Sequence, residues 1–274
     1  MASIASISSA SRNFLKRLKR DTSGLALIEF AYTLPIFIGL GFYGVEVANL
    51  AITQMKMSQV ALNMADNASR IGTLDASLGA KEVSEAEIND VFQAAAIQAG
   101  HIDVFEDGRS VLSSLEINAL GGQTIQWQRC KGKSQNNSDY GGEGTGESNT
   151  SFTGMGGDGN QVQAAAGSAV MFVELTYEYQ PLFGDMFIGR RLLRQEAAYT
   201  VRDNRDLGDD PLDNVAAARK STCDKYDDIL PQTSDAEIAA AAAGSGNPPG
   251  QNGNGPGNDG NGGGNLCVLN LVCL

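Results

Sequence analysis

The most chemically distinctive residue in this sequence is an acid inside an apolar run. Glu29 lies near the start of a run that extends from Leu25 to Val45. As a helix, this run would be about 30 Å long at 1.5 Å per residue, which matches the hydrocarbon core of a bilayer. Exposing a carboxylate to lipid costs roughly 2.5 kcal/mol or more, so we expect Glu29 to have either a binding partner or a function. The sequence therefore predicts a transmembrane helix over residues 25–46 that carries one functional acid.

The cysteines are a second set with defined chemistry. An even set of cysteines beyond a membrane segment predicts disulfides, and four cysteines allow three pairings, all of which the sequence leaves open. A zinc site is disfavoured because there is no C-x-x-C spacing and the single histidine, His101, is distant in sequence from every cysteine. We expect His101 to interact with a helix dipole rather than to catalyse a reaction. The four are Cys130, Cys223, Cys267 and Cys273.

Other motifs that could do chemistry are weaker. Gly154, Gly156 and Gly159 form a G-x-G-x-x-G, but no convincing strand precedes them, so a low-complexity loop is favoured over nucleotide binding. A cluster of aspartates after Arg202 lacks the spacing of an EF-hand, so we expect a solvated acidic turn. The sequence has no nucleophile elbow and no H-E-x-x-H motif. We therefore expect no catalytic residues, no metal and no cofactor. The aspartates are Asp203, Asp206, Asp209, Asp210 and Asp213.

The charge of the chain is divided unevenly. Residues 1–24 carry five Lys and Arg side chains against one Asp, so this leader is +4 and the remaining chain, given a net charge of -12, is −16. Basic residues that precede a first membrane helix stay in the cytoplasm. We therefore expect a cytoplasmic leader and a domain across the membrane. The acidity of that domain argues against nucleic acid as a partner.

Helical periodicity continues beyond the apolar run. It predicts one long helix from near Leu25 to near Ile71, with Gly72 as its terminator. The second half of this helix has an apolar stripe that should face a soluble domain. The predicted stripe consists of Leu50, Ala51, Met55, Ser58, Ala61, Leu62, Ala65, Ala68 and Ile71.

A second helix is marked at both ends. Ser84 and Glu87 form a capping box, and Gly100 is the expected stop at the C-terminal end. The packing face of this helix is predicted to be Ile88, Val91, Phe92 and Ala95.

Four strand-like runs follow the second helix. They lie at residues 111–119, 125–127, 171–179 and 196–202. The third is the clearest, since Met171 and Val173 fall on one face and Phe172 on the other. Gly121-Gly122 predicts a two-residue hairpin turn between the first two runs. Consecutive strands prefer to be antiparallel neighbours, so we expect one small sheet with a face against the first helix.

Two connections between these strands have unusual compositions. Residues 131–167 are rich in Gly, Ser and Asn, which predicts a long and mobile loop. Residues 181–188 are apolar for a connection, so they should either fold under the sheet or meet a neighbouring molecule. The fold class that these elements predict is α+β.

The predicted organisation of the chain has six parts. They are a cytoplasmic leader over 1–24, a transmembrane helix over 25–46, an α+β domain over 47–206, an acidic and Ala-rich extension over 207–243, a Gly/Asn/Pro linker over 244–265 and a cysteine-flanked tip over 266–274. The apolar tip at the end of a flexible linker suggests docking onto the domain, with a disulfide as a clasp.

The N-terminal region resembles a known family. A glycine at 24, an acid at Glu29 and an aromatic at Phe30, at the head of an apolar helix after a basic leader, resemble the processing motif of type IVb prepilins. The continuation through Leu34-Pro35 is similar to TadE/TadG-like minor pseudopilins of tight-adherence (Flp) pilus systems. A looser similarity extends over 177–182 and 199–202.

This resemblance implies roles for particular residues. A prepilin peptidase would cut between Gly24 and Leu25, and Glu29 would neutralise the new N-terminus of a neighbouring subunit within the membrane. It also implies a pilin-like fold, in which the long helix packs on the sheet. The implied partners are the peptidase, other pilins or pseudopilins, the inner-membrane assembly platform and the lipid bilayer. The implied location is the inner membrane, with the domain in the periplasm and possible incorporation into a pilus.

Other readings of the apolar run compete with this one. An ordinary secretory signal is disfavoured because the run is long, contains an acid and lacks a clear A-x-A site. An uncleaved single-pass anchor for a periplasmic binding or scaffold domain is the main alternative, since Glu29 could extend to the membrane interface. An exported hydrolase has little support, because no catalytic motif surrounds the single histidine.

Overall fold

A single long helix dominates the N-terminal part of the molecule. The computed structural model describes residues 16, 17, 19, 23–75, 77, 79–157 and 159–228. Helix α1 spans Ser23–Ala68, a length of 46 residues, and continues through Pro35. It ends three residues before the predicted end, and Gly72 follows with φ 119°. The prediction of one continuous helix is therefore confirmed.

Helix α1 has two halves with different surroundings. Residues 24–45 are exposed apart from a partly covered Gly39, and Glu46 is the first buried residue. The most apolar 18-residue stretch of α1 has a mean hydropathy of 1.8 and none of it is buried. By length and composition, α1 can therefore cross a membrane.

The buried face of the second half differs from the predicted stripe. Met55 and Leu62 are 59% and 44% exposed, so their predicted burial is wrong. Apolar residues occur on several faces of this segment, and periodicity alone did not identify the face that meets the sheet. The face is buried by contacts with α2, β5 and β6, and its apolar residues are Met57, Val60, Ala61, Met64, Ala65 and Ala68.

The remaining elements form an antiparallel sheet, a small hairpin and a second helix. The strands are β1 (Thr73–Asp75), β2 (Ala80–Glu82), β3 (Gly108–Ile117), β4 (Gln123–Lys131), β5 (Val170–Glu178) and β6 (Leu192–Thr200). Helix α2 spans Glu85–Ala99. Strands β1 and β2 pair with each other, and the other four form one sheet in the order β4-β3-β5-β6, with every pair antiparallel. The α+β class and the four-stranded sheet are confirmed, whereas the short β1–β2 hairpin was not predicted.

Helix α2 begins and ends where the sequence indicates. Ser84 accepts a hydrogen bond from the Glu87 amide, and the Glu87 carboxylate accepts one from the Ser84 amide, so the capping box is complete. Gly100 terminates the helix with φ 66°. The predicted packing face is confirmed, because Ile88, Val91, Phe92 and Ala95 are all buried.

The two faces of the sheet have separate cores. On the helix face, Met171, Val173 and Leu175 of β5 pack with α1 and α2. On the other face, Phe172 and Leu115 pack with residues from the long β4–β5 connection. The alternation predicted for β5 therefore holds, but both of its faces are covered.

The β4–β5 connection is a cover for the sheet rather than a free loop. Met155 is fully buried in the second core, and Tyr140 and Phe152 pack at its edge. The glycine motif inside this connection is a turn stabilised by paired backbone hydrogen bonds between Met155 and Val162. A Cβ on Gly154, where φ is 118°, would lie 2.2 Å from the Val162 carbonyl oxygen. The glycine is thus explained by backbone packing.

The β3–β4 turn is longer than predicted. It uses five residues, Asn118 to Gly122, instead of Gly121-Gly122 alone, because the Asn118 side chain organises the turn. The Asn118 carboxamide oxygen accepts hydrogen bonds from the amides of Leu120 and Gly122, each at 2.9 Å. Such local bonding by Asn stabilises a wider turn.

The chain after β6 continues along the domain. The segment around Arg205 pairs with Lys81 of β2, and Leu212 pairs with Ser84. Further on, the Cys130 amide donates to the Ser221 carbonyl at 2.7 Å and the Gly132 amide donates to the Asp227 carbonyl at 2.8 Å. Asp228 also forms a salt bridge with Lys133 at 3.2 Å, so domain contacts continue past residue 206, the expected boundary, as far as residue 228.

Candidate functional site at the long helix

The residues expected to be processed lie in the first turns of α1. Gly24 follows the first residue of the helix, and a Cβ placed on it would meet no atom within 4 Å. Leu25 is 58% exposed and Phe30 is also 58% exposed. Leu25 and Glu29 are four residues apart, so they lie on the same face of the helix. None of the other described residues covers this part of the chain, so it is accessible to a partner.

Glu29 has no partner within the part of the chain that the structure describes. The side chain is exposed, and no hydrogen bond or ion pair to its carboxylate is present among these residues. The nearby Thr33 hydroxyl donates to the Glu29 backbone carbonyl at 2.9 Å and leaves the carboxylate unused. An acid in an apolar segment that has no partner among the described residues is suited to a partner supplied by another molecule.

Glu46 marks the point where α1 joins the domain. Its carboxylate is fully buried and accepts a hydrogen bond from the Tyr179 hydroxyl at 2.6 Å. It also accepts from the amides of Leu182 and Phe183 at 3.3 and 3.1 Å. Asn49 donates to the Tyr179 oxygen at 2.8 Å. One helix side chain therefore holds the end of β5 and the start of the β5–β6 connection.

Aromatic side chains reinforce this junction. The Phe42 and Phe183 rings lie 4.8 Å apart, and the Tyr43 and Phe187 rings lie 6.3 Å apart. These separations are those of favourable aromatic pairs. The apolar β5–β6 connection thus packs beside the last exposed turn of α1. Its Ile188 is buried in the core on the helix face of the sheet, so this part of the connection folds under the sheet as expected.

The other end of α1 is held by a buried arginine. Arg205 is 8% exposed, and its guanidinium donates to the carbonyl oxygens of Ser69 and Ile71 at 3.3 and 2.6 Å. Burial lowers the pKa of Arg205 despite the nearby charge of Asp203. A cation at the C-terminal end of a helix satisfies unpaired carbonyl groups and complements the helix dipole. Arg205 and Glu46 therefore fasten both ends of the packed half of α1.

Helix α2 is fastened to β4 by a buried ion pair. Arg129 Nη2 lies 2.6 Å from Glu85 Oε1, and Arg129 Nε donates to the same carboxylate. Burial lowers the pKa of Arg129, but the hydrogen bonds and charges of Glu85 and Glu143 outweigh it and raise the pKa overall. A paired buried charge of this kind positions the two elements rather than adding a reactive group.

Two of the four predicted disulfide cysteines are joined. Cys130 at the end of β4 bonds to Cys223 in the final described segment, with Cα atoms 4.7 Å apart. Beside them, Arg109 is fully buried and donates to the carbonyls of Cys223 and Lys225 at 2.7 and 2.9 Å. Its guanidinium lies 4.2 Å from the Tyr226 ring centre. The disulfide and Arg109 together hold the segment against the sheet.

The remaining predictions at the C-terminus lie outside the described residues. Cys267 and Cys273, the linker over 244–265 and the tip over 266–274 are among them. The pairing of Cys267 and Cys273 stays open. The expected disulfide clasp between the tip and the domain is contradicted, because both cysteines of the domain, Cys130 and Cys223, are bonded to each other. The leader over 1–24 is also outside this range, except for residues 16, 17, 19, 23 and 24.

The acidic segment after Arg202 is tied to β2 by a salt bridge, and a second salt bridge lies within the chain that follows β6. Asp203 pairs with Lys81 at 2.7 Å, and Asp213 pairs with Lys220 at 2.7 Å. Within residues 23–75, 77, 79–157 and 159–228, no group of three or more His, Cys, Asp and Glu side chains could hold a metal ion. His101 Nδ1 lies 3.4 Å from Lys56 Nζ, which also donates to the Ala99 carbonyl at the end of α2.

Sequence reasoning missed Glu46 and the buried arginines. A signal for Glu46 was present, because an acid directly follows the apolar run at Val45. Arg109 and Arg205 gave no signal, since an arginine near a strand end reads as a surface residue. Only the packing of distant segments buries them. Comparison with protein-family models, curated proteins and solved structures found no match to this chain.

Proposed function

We propose that this protein is a non-enzymatic structural subunit, a minor pseudopilin similar to the TadE/TadG-like proteins of tight-adherence (Flp, type IVb) pili. The observation that carries the proposal is the division of α1 at Glu46. Its first half is apolar and exposed, and its second half packs on an antiparallel sheet. A subunit that is stored in a membrane and then assembled needs both halves in one rigid helix.

The location follows from the same helix and from the charge of the chain. The leader is basic and the rest of the chain is acidic. In the proposal, α1 therefore crosses the inner membrane with its N-terminus in the cytoplasm and its sheet in the periplasm. A disulfide between Cys130 and Cys223 is compatible with an oxidising compartment.

Gly24 and Glu29 have separate tasks in this proposal. A prepilin peptidase cuts after Gly24, and cleavage creates an ammonium group on Leu25. In a neighbouring subunit, the Glu29 carboxylate meets that ammonium. The attraction between the two charges offsets part of the desolvation cost of placing each of them in a medium of low dielectric constant. The partners are thus the peptidase, other pilins or pseudopilins and the assembly platform of the inner membrane.

N-terminal sequencing of the membrane-purified protein tests the processing step. We expect the mature chain to begin at Leu25. Gly24→Trp should leave an uncut precursor, because a large side chain obstructs the close approach of the backbone to a peptidase. Gly41→Trp is the matched control, since a side chain at Gly41 also meets no atom of the protein within 4 Å. It should be cut normally, whereas full-length protein in the wild type would contradict processing.

Glu29→Ala tests the assembly step. Cutting should persist while incorporation of the subunit, or piliation, is lost, because the neighbouring ammonium has no counter-charge. Glu29→Asp keeps the charge and should retain part of the function. An uncleaved anchor for a binding domain would be indifferent to both Gly24→Trp and Glu29→Ala. If neither substitution changed piliation, the result would therefore favour the uncleaved anchor.

A further inference from the structure

The β5–β6 connection exposes apolar side chains beside α1. We define the collar as residues 181–192, which contain a short 3₁₀ turn at Gly184–Met186. Leu182 and Met186 on the connection are 59% and 78% exposed, and Leu192, the first residue of β6, is 51% exposed. Three large apolar side chains this open within twelve residues are unusual on a surface that faces only water.

The collar lies beside the turn of α1 that precedes Glu46. Phe183 and Phe187 contact Phe42 and Tyr43 of that turn. The rise from Leu25 to Phe42 is about 26 Å at 1.5 Å per residue, so Phe42 lies near the far boundary of a hydrocarbon core about 30 Å thick. If the membrane span begins at Leu25, the collar lies at the level where the helix leaves the bilayer.

The charges of the collar suit a lipid surface. Arg190 and Arg191 are exposed in a domain whose overall charge is strongly negative. Arg190 lies 4.0 Å from Glu178, and Asp185 is the acid within the collar. Aromatic rings and arginines together are typical of the interface between hydrocarbon and headgroups.

Hydrogen bonds to Glu46 hold the collar in place. The Glu46 carboxylate accepts hydrogen bonds from the amides of Leu182 and Phe183, at the entrance to the turn. These bonds set the height of the collar relative to α1. Its exposed residues therefore reach a constant depth in any membrane that α1 crosses.

We propose that the collar is a membrane-docking surface that inserts Leu182 and Met186 into the outer edge of the bilayer, with Arg190 and Arg191 at anionic lipid headgroups. It would set the domain at a fixed height and tilt on the periplasmic face. The inference rests on the membrane span in the proposed function. Its occupant is lipid, because the apolar surface of the collar continues the exposed apolar surface of α1.

Tryptophan quenching in nanodiscs tests this docking. Full-length Met186→Trp and Leu182→Trp proteins are placed in nanodiscs whose lipids carry bromine near the carbonyl end of the acyl chains. The native Trp127 is buried and gives a common background. Ile97→Trp and Leu120→Trp are matched controls, because these positions are 74% and 63% exposed and lie outside the collar. Phe37→Trp reports the span itself, and it is placed in nanodiscs whose lipids carry bromine near the middle of the acyl chains, because Phe37 lies about 18 Å from Leu25 along the helix.

We expect the added fluorescence of both collar variants to fall roughly twofold or more in brominated lipid, as for an interfacial side chain. The two control variants should be unchanged. Quenching of Phe37→Trp without quenching at either collar position would overturn the docking surface and leave the span intact. Absence of quenching at Phe37→Trp as well would overturn the span and the collar together. N-terminal sequencing, measured separately, tests the proposed function, so a failure of that proposal can be told apart from a failure of the docking surface.

A double substitution tests the contact between the collar arginines and the lipid headgroups. Arg190→Gln combined with Arg191→Gln should reduce quenching of Met186→Trp in nanodiscs that contain phosphatidylglycerol. In purely zwitterionic nanodiscs the same pair should have little effect, since these lipids carry no net negative charge to attract the basic residues. Equal quenching with and without the arginines in both lipids would overturn the proposed headgroup contact.

Discussion

At the scale of single residues, the pKa of Glu174 is strongly affected by its surroundings. It lies on β5 under the long connection, directly opposite Glu196 of β6. Burial raises the pKa of Glu174 to about 7, and the charge of Glu196 contributes to the increase. The Glu174 carboxylate accepts a hydrogen bond from the Asp139 amide at 3.0 Å, and Tyr140 donates to Glu196 at 2.9 Å. The packing of the connection is therefore linked to the ionisation of one acid.

This pKa predicts a pH dependence of stability. The folded state binds the Glu174 proton more tightly than the unfolded state, whose pKa is near 4.5. The contribution of protonated Glu174 to the free energy of unfolding is therefore fully present below pH 4.5 and is lost as pH rises through 7. Glu174→Gln should remove this loss and raise the free energy of unfolding at alkaline pH by about 3 kcal/mol. Chemical unfolding of the wild type and the variant at several pH values measures this difference in the free energy of unfolding.

A control separates this effect from general surface charge. Glu147→Gln removes an exposed acid from the same connection. It should leave the slope of stability against pH unchanged. Parallel pH profiles for the wild type and Glu174→Gln would contradict a raised pKa at Glu174.

At the scale of elements, the junction of α1 with the sheet depends on Glu46. Glu46→Ala leaves the Tyr179 hydroxyl and the amides of Leu182 and Phe183 without their acceptor. We expect the free energy of unfolding to fall on the order of 2 kcal/mol, which is the cost of leaving such buried donors unpaired. Fluorescence of the buried Trp127 during chemical unfolding of the detergent-solubilised full chain measures this change.

The matched control is Glu29→Ala. It removes an acid from the same helix, but Glu29 is exposed and lies on the half of α1 that does not pack on the domain. The unfolding curve should match that of the wild type. If the two variants unfolded alike, the junction would not depend on the Glu46 hydrogen bonds.

At the scale of the whole molecule, the Cys130–Cys223 disulfide closes a large part of the chain. The two cysteines are 93 residues apart in sequence. In the chain-entropy account, a loop of this length contributes about 4.6 kcal/mol by restricting the unfolded state. Replacing both cysteines by Ala should lower the free energy of unfolding by roughly this amount, although Arg109 still holds the segment.

Peptide mapping without reductant checks the bond itself. Cys130 and Cys223 should be recovered as a linked pair and become alkylated only after reduction. Alkylation of both thiols in the unreduced native protein would contradict the pairing. The same map shows whether the two remaining cysteines, Cys267 and Cys273, pair with each other.

Local patterns in the sequence determined the elements of this protein. A run of apolar residues defines the first half of α1, a capping box and a glycine bound α2, and alternation identifies β5. Each signal depends on neighbours within a few residues, because propensity, capping and periodicity are local properties. The α+β class and the antiparallel sheet follow from the order of these elements.

Tertiary structure decided which surfaces are buried and which residues are joined. The sheet selected the face of α1 with Met57 and Met64 over the face with Met55 and Leu62. It also made a cover of the glycine-rich connection and joined Cys130 to Cys223 among three possible pairings. Glu46, Arg109 and Arg205 acquired their roles in the same way. Burial and pairing depend on contacts between distant segments, and no local pattern in one sequence specifies which segments will meet.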